Sequence, residues 1–148
     1  MHIFLVSLAA TCVISTAAHA NGPITYEVTD QSYDDVQFGL ENAIIDAGLV
    51  ISNHNHVGSM LDRTAQEVGD DTQIYIYADV YGFCSAELSR AAMAEDALNI
   101  RFCPYNIFMY QQTEDSPVVI GFDDMPEGAM HEVEKLLDAI TRNAVGLD

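Results

Sequence analysis

Hydrophobic and polar positions along the chain follow two different periods, and together they predict a mixed order of strands and helices. Residues 24–29 alternate polar and apolar side chains and predict a first strand. Ser32 is a predicted helix N-cap, and Asp35, three residues on, favours the positive end of that helix. Gly48 is a natural stop for it. The apolar positions on one face of this helix are Val36, Leu40, Ala43, Ile44 and Ala47.

The middle of the chain predicts a second strand, a second helix and a third strand. The second strand covers residues 49–53 and leads into an Asn-His-Asn-His segment. The second helix covers residues 58–68 and ends at Gly69. Residues 73–81 give the clearest strand pattern. The apolar residues expected on one side of that strand are Ile74, Ile76, Ala78 and Val80.

A third helix and a fourth strand are predicted next. Cys84 or Ser85 is expected to open the helix. Residues 100–110 predict the strand, which Pro104 interrupts because proline has no backbone N–H for the sheet ladder. This interruption predicts an edge position or a bulge.

The last third of the chain decides the fold class. Residues 113–116 predict a turn, and residues 118–122 a strand that pairs back as a hairpin. Residues 127–144 predict a final helix. The predicted fold is an α+β two-layer sandwich, with a mostly antiparallel sheet and helices packed on one face. A small parallel α/β sheet is the competing architecture, and the hairpin argues against it.

The first twenty residues have the pattern of an export signal. A short apolar run ends at a small-x-small motif, which predicts cleavage after Ala20. The run is too short for a membrane span. Two alternatives compete with this interpretation: a lipoprotein acceptor at Cys12, and an N-terminal buried helix or strand. The expected mature chain is residues 21–148, a single α+β domain in the periplasm or secreted, without a membrane span.

The charge of the chain limits its partners. Five basic residues stand against 23 acidic ones, which gives a net charge of −18. Such a surface repels nucleic acid and anionic lipid, so neither is an expected partner. Adaptation to a salty environment explains this acidity, and attraction of a cationic partner or metal ion is the competing explanation.

Cys84 and Cys103 are the two cysteines of the expected mature chain. In an oxidising compartment they predict one disulfide, which would close a loop of about 20 residues and stabilise the fold by roughly 3 kcal/mol. A reversible thiol pair is the first alternative, because a helix N-terminus near Cys84 would lower the thiol pKa. Cys84 would then be the nucleophile and Cys103 the resolving thiol.

A metal site is the second alternative. His54 and His56 are two residues apart, and an extended segment would place both rings on one side. With one or two cysteine thiolates they would suit copper or zinc. An ordinary surface turn rich in asparagine is the competing interpretation of these histidines. The residues considered as further ligands or as parts of a binding site are Met60, Met109 and Tyr105.

Common catalytic signatures are absent from the sequence. It has no phosphate-binding glycine loop, no G-x-S-x-G nucleophile elbow and no C-x-x-C motif. Several segments do resemble a known family. They are residues 36–48, His56-Val57, Met60-Leu61-x-Arg63-Thr64, Phe83-Cys84-Ser85-Ala86, Cys103-Pro104-Tyr105-Asn106-Ile107 and Val118-Val119-Ile120-Gly121-Phe122.

These segments resemble the domain of unknown function 302 family, and more narrowly its exported bacterial members. The resemblance implies a compact α+β domain, often a homodimer, with no established reaction and no catalytic residues to transfer. It also implies that the cysteine pair is an addition suited to export, which favours a structural disulfide. The expected function is a non-enzymatic exported accessory or binding module for a small ligand or a periplasmic protein. The alternatives are a thiol-based redox or sulfur-handling protein and a Cys/His metal-binding protein.

Overall fold

The computed structural model describes residues 22–147, so the predicted signal peptide lies outside the described residues. Within that range the chain forms five strands and four α-helices, with a 3-10 helix (Ala97–Phe102) before the fourth strand. The strands are β1 (Ile24–Val28), β2 (Ile51–His56), β3 (Tyr77–Phe83), β4 (Tyr105–Gln111) and β5 (Val118–Phe122). The helices are α1 (Tyr33–Asp46), α2 (Val57–Val68), α3 (Ala86–Glu95) and α4 (Met130–Ala144).

The five strands form one sheet in the order β1-β5-β4-β3-β2, and every neighbouring pair is antiparallel. This arrangement confirms the predicted α+β sandwich and excludes the parallel alternative. The register aligns one row of residues across all five strands on the same face of the sheet. That row is Tyr26, Ile120, Met109, Asp79 and His56.

Helices α1 and α4 cover the face that carries this row. Tyr33 in α1 donates a hydrogen bond to Asp79 in β3. At the other side of the sheet, Tyr26 in β1 donates one to Asp138 in α4. The core lies between these helices and the sheet. Its largest fully buried side chains include Tyr81, Tyr105, Phe83, Phe122, Leu40, Ile44, Ile107, Met109, Ile120, Met130 and Leu137.

The start and stop of α1 follow the sequence prediction. The Ser32 hydroxyl accepts from the backbone N–H of Asp35, and the Asp35 carboxylate accepts from the backbone N–H of Ser32. This capping box satisfies two N–H groups at the start of the helix. The chain leaves α1 through Gly48 at φ 75°, a left-handed conformation that glycine adopts without steric cost.

The predicted third strand, residues 73–81, begins too early. β3 begins at Tyr77, so Ile74 precedes it and is 48% exposed. The residues of β3 that face α1 and the core include Asp79, Tyr81 and Phe83. Large aromatic side chains fill the space under the helices, while the small Ala78 takes the opposite face. The predicted strand therefore extends four residues too far at its start.

The predicted strand over residues 100–110 is also too long. Residues 97–102 form the 3-10 helix, which Asp96 caps at its start, and the side chain of Asn99 donates to the carbonyl of Ala92. The strand ladder begins at Tyr105, directly after Pro104. β4 lies between β5 and β3, so the expected edge position or bulge is wrong. Pro104 instead marks the boundary in front of the strand. In the described part of the chain, no helix combines the length and apolarity of a membrane span.

Candidate functional site

Two neighbouring strands bring His54, His56 and Asp79 together on the helix-covered face of the sheet. In the register of β2 and β3, His56 is the direct partner of Asp79, and His54 is the partner of Tyr81. Side chains two residues apart on a strand lie on the same face. The two histidines of β2 therefore both reach the carboxylate of β3.

A register shift near the start of β2 makes this possible. Ile51 pairs with Phe83, but Asn53 already pairs with Gly82, so Ser52 is an extra residue in β2. Without that residue, Ile51 would share its face with positions 53 and 55, and the histidines would point away from the helices. The bulge lets Ile51 pack against the core and His54 lie on the same face.

The three side chains meet at a single oxygen atom. Nε2 of His54 lies 2.8 Å from Oδ1 of Asp79, and Nδ1 of His56 lies 2.7 Å from the same oxygen. The three donor atoms all lie within 4.8 Å of one another. The two rings are in contact, with centroids 4.1 Å apart.

Two tyrosines hold these groups from behind. The Tyr33 hydroxyl donates to Oδ2 of Asp79 at 2.6 Å, which leaves Oδ1 for the histidines. Burial, together with the Asp79 carboxylate, raises the pKa of Tyr33, so its hydroxyl stays protonated and remains a donor. The Tyr81 ring stacks on His54 with centroids 4.0 Å apart. Supporting contacts of this kind fix the orientation of metal-ligating side chains.

The Tyr81 hydroxyl is itself held by α1. It accepts from Gln37 at 2.7 Å and donates to Glu41 at 2.9 Å. Burial is the main reason that the pKa of Tyr81 is raised, so this hydroxyl also stays protonated. Helix α1 thus positions both tyrosines that contact the site.

The site is closed on one side and open on the other. The Asp79 side chain is only 9% exposed and that of His54 23%, whereas that of His56 is 65% exposed. A group bound by the three donor atoms would therefore meet solvent beside His56. Three protein ligands with one open position are typical of sites that bind an exchangeable ligand.

A groove continues from the open side. Helix α2 follows His56 directly and lies against β3, because Gly58 has no side chain to meet the backbone of Ala78; an added Cβ would lie 2.9 Å from its nitrogen. The groove between α2 and β3 has a volume of about 680 Å³. Its lining is His56, Ser59, Asp62, Arg63, Ile76, Tyr77, Ala78 and Asp79.

Two imidazole nitrogens and one carboxylate oxygen make a donor set that suits zinc and copper. Imidazole binds both metals, and zinc sites often combine histidine with a carboxylate. Hard cations such as magnesium prefer a set made of oxygens alone. The residues present fit a divalent transition metal.

The sequence prediction named both histidines but missed Asp79. A signal was available, because Asp79 is the only charged residue between Gln73 and Phe83, within a segment predicted as a strand. A carboxylate buried in a strand needs hydrogen-bond or metal partners. That requirement could have indicated the nearby histidines as partners of Asp79.

The other residues considered as ligands have different surroundings. Met60 lies on α2, 40% exposed, with its sulfur 4.0 Å from the hydroxyl of Thr64. Met109 is buried opposite Asp79 in the register, and its carbonyl accepts from Tyr33. Tyr105 is buried and lies beside Ser89, with the two hydroxyl oxygens 3.0 Å apart. Among the histidine, cysteine, aspartate and glutamate side chains that the structure describes, His54, His56 and Asp79 form the one group of three with ligand atoms close enough to share a metal ion.

The two cysteines lie close together at the opposite end of β3. Cys84 follows Phe83, and Cys103 precedes Tyr105, the register partner of Phe83. The two cysteines are free thiols that lie side by side and are not joined by a disulfide bond. Five residues of extended chain, about 16 Å, separate Cys84 from Asp79. The structure therefore does not bring the cysteines and histidines into one site.

The expected activation of Cys84 by a helix N-terminus is wrong. Burial around its sulfur and the adjacent thiol of Cys103 raise the pKa of Cys84 to about 11, and only a backbone contact with Tyr105 acts in the other direction. Cys84 also lies outside α3, whose N-cap is Ser85. The helix dipole acts only within the first turn, so it does not outweigh the two neighbours.

Comparison with known proteins identifies a similar fold. No family model matches the sequence, and no curated protein matches it. The chain is similar in structure to the uncharacterized conserved protein DUF302 from Bacillus stearothermophilus, with a TM-score of 0.57 and 19% sequence identity. The match covers 86% of this chain and 90% of the other. It shows that this chain has the fold of a DUF302 protein.

Proposed function

We propose that this protein is a binding module whose ligand is a divalent transition metal ion, zinc or copper. The observation that carries the proposal is the convergence of His54 Nε2 and His56 Nδ1 on Oδ1 of Asp79. These atoms belong to neighbouring strands and are held by two tyrosines from behind, so little reorganisation is needed for binding.

The charge of the protein supports the same proposal. A net charge of −18 raises the concentration of cations near the surface and speeds their encounter with the site. Such a surface also binds cations weakly and without selectivity. Selectivity for zinc or copper therefore has to come from the two imidazoles, which magnesium and calcium do not favour.

Competition with a chromophoric chelator tests the proposal. The purified protein, with its thiols alkylated under reducing conditions, is titrated with Zn²⁺ and separately with Cu²⁺ in a large excess of Mg²⁺ and Ca²⁺. The test variant is His56→Ala, and the matched control is His131→Ala, because both histidines are more than half exposed. We expect one bound ion, lost affinity of about a hundredfold or more in His56→Ala, and no change in His131→Ala. Equal affinity in the two variants would contradict the proposal.

For the cysteine pair we propose a structural disulfide, formed when the protein meets an oxidising compartment. The adjacency of Cys84 and Cys103 supports it, because a disulfide needs two cysteines within bonding reach of each other. The competing function is a reversible redox pair. A redox titration separates the two: a structural bond has a reduction potential below about −300 mV, and an exchanging one a higher potential.

We also propose that the protein is exported and that it forms a homodimer. The small-x-small motif before residue 21 supports secretion to the periplasm or outside the cell.

Support for a homodimer comes from aromatic residues that are partly exposed on the face of the sheet away from α1, namely Phe108 and Tyr110. Sedimentation equilibrium with Tyr110→Ser beside the unaltered protein tests the pairing, and a monomer in both would contradict it.

A further inference from the structure

We infer that the metal-loaded site binds a small monocarboxylate, which coordinates the metal at its open position and pairs with Arg63. This inference rests on the proposed metal site and names the class of ligand that completes it. It is carried by the groove beside His56, where an arginine and a serine hydroxyl line the same wall.

Arg63 is an unusual residue for its place. The chain has four arginines and one lysine against 23 acidic residues. Carboxylates that could pair with an arginine are therefore abundant. In the part of the chain that the structure describes, Arg63 nevertheless makes no ion pair and no hydrogen bond. Its guanidinium group is available to the groove. A guanidinium presents paired N–H donors whose spacing matches the two oxygens of a carboxylate.

Ser59 supports the same ligand. It lies four residues before Arg63 on α2, so both side chains are on one face of the helix, and both line the groove. Its hydroxyl forms no hydrogen bond within the described residues and is free to donate to an oxygen of the ligand. The groove thus offers donors from α2 and, with the metal bound, a Lewis acid beside β3.

The charges in the groove decide when an anion binds. Asp62 and Asp79 each carry one negative charge, and Arg63 carries one positive charge, so the metal-free groove is negative by one charge. A divalent ion makes it positive by one charge. A monocarboxylate is therefore repelled by the metal-free protein and attracted by the loaded one. This balance favours a singly charged anion over phosphate, which carries more charge than the groove can neutralise.

Binding is a ligand exchange without a redox change. With a metal ion held by His54, His56 and Asp79, one carboxylate oxygen would replace a metal-bound water molecule. The second oxygen then accepts from the Arg63 guanidinium, and no bond within the ligand is made or broken.

Titration of the cobalt-loaded protein with acetate tests the inference. Co²⁺ substitutes for zinc in such sites, and its visible absorption changes when a ligand coordinates the ion directly. We expect saturable changes with acetate, weakened about tenfold by Arg63→Gln. Asp62→Asn should have the opposite effect and increase the affinity for acetate, because it removes a negative charge from the groove. The control is Arg90→Gln, an exposed arginine on α3 outside the groove, which should change nothing.

The outcomes separate this inference from the proposed function. Cobalt uptake at the histidines without any response to acetate overturns the inference and leaves the metal site intact. Equal acetate affinity in Arg63→Gln and Arg90→Gln also overturns it. Binding of acetate to the metal-free protein with the same affinity overturns the charge argument. Failure of cobalt to bind overturns the inference together with the proposed function.

Discussion

The two ends of β3 each hold a pair of residues with metal-binding or redox chemistry, and they differ in what surrounds the pair. At one end, His54 and His56 share an oxygen of Asp79, which the Tyr33 hydroxyl from α1 helps to position. At the other end, Cys84 and Cys103 have each other as their nearest reactive group. The first pair has a carboxylate to complete a ligand set, and the second has none within the described residues.

This difference shows that the neighbours of a reactive pair decide its chemistry. Asp79 supplies a negative oxygen that a cation can share with two imidazoles. The surroundings of Cys84 instead raise its pKa to about 11, so the thiolate is scarce near neutral pH. We therefore expect the histidine end to bind metal ions and the cysteine end to favour a disulfide over metal binding.

The largest expected effect comes from removing one pair at a time. His54→Ala combined with His56→Ala should abolish zinc binding, because two of the three ligands are lost. Cys84→Ala combined with Cys103→Ala should leave zinc affinity within about twofold, since those residues lie about 16 Å from the site. Chelator competition at one pH measures both. Loss of zinc affinity in the cysteine double variant would contradict the separation of the two ends.

A smaller effect is expected from the residue behind the site. Tyr33→Phe removes the hydroxyl that donates to Oδ2 of Asp79. We expect zinc affinity to fall about tenfold, and the free energy of unfolding to fall by about 1 kcal/mol. The control is Tyr26→Phe, which removes the hydrogen bond to Asp138 at the far side of the sheet. That variant should lose stability without losing affinity, and a similar loss of affinity in both would show that Tyr33 has no specific role.

A still smaller effect is expected on the reactivity of the Cys84 thiol. Its rate of alkylation by iodoacetamide should keep rising with pH towards about 11, because only the thiolate reacts. Cys103→Ala should lower the pKa of Cys84 but leave it above its ordinary value, since burial is the largest single cause and outweighs the opposing backbone contact with Tyr105. A plateau of the alkylation rate near neutral pH in the unaltered protein would show an activated thiol and would favour the redox function.

The smallest effect is on stability at high pH. The folded pKa of Cys84 is raised from 9.0 to about 11, so the reduced folded protein holds this proton more tightly than the unfolded chain. Its contribution to stability is complete below about pH 9 and is lost as the pH rises towards about 11. Urea unfolding of reduced protein and of Cys84→Ala measures it. The difference in unfolding free energy between the two should shrink over that range, and a constant difference would contradict the raised pKa.

Much of the fold followed from local patterns in the sequence. The capping box of Ser32 and Asp35 and the stop at Gly48 defined α1. The hairpin signal before residue 118 defined the antiparallel sheet. These features depend on residues close in the chain, so a single sequence contains the information. The start of β3 did not follow, because the strand-like residues continue through 73–76, which precede the observed strand.

The candidate site was only half predictable. The spacing of His54 and His56 indicated that they share a face, but their face depends on the bulge at Ser52, which no local pattern announces. Asp79 is 23 residues from His56 along the chain and becomes its neighbour through the register of two strands. Long-range register of this kind is set by packing of the whole sheet.

X-ray absorption at the zinc edge tests the central claim most directly, because it identifies the atoms bound to the metal. The sample is the fully reduced protein with one equivalent of Zn²⁺, so that the histidines and the thiols compete for the ion. The separation of the two ends predicts nitrogen and oxygen neighbours at about 2.0–2.1 Å, including two imidazoles, and no sulfur. A sulfur neighbour at about 2.3 Å would contradict it and would place the metal at Cys84 and Cys103.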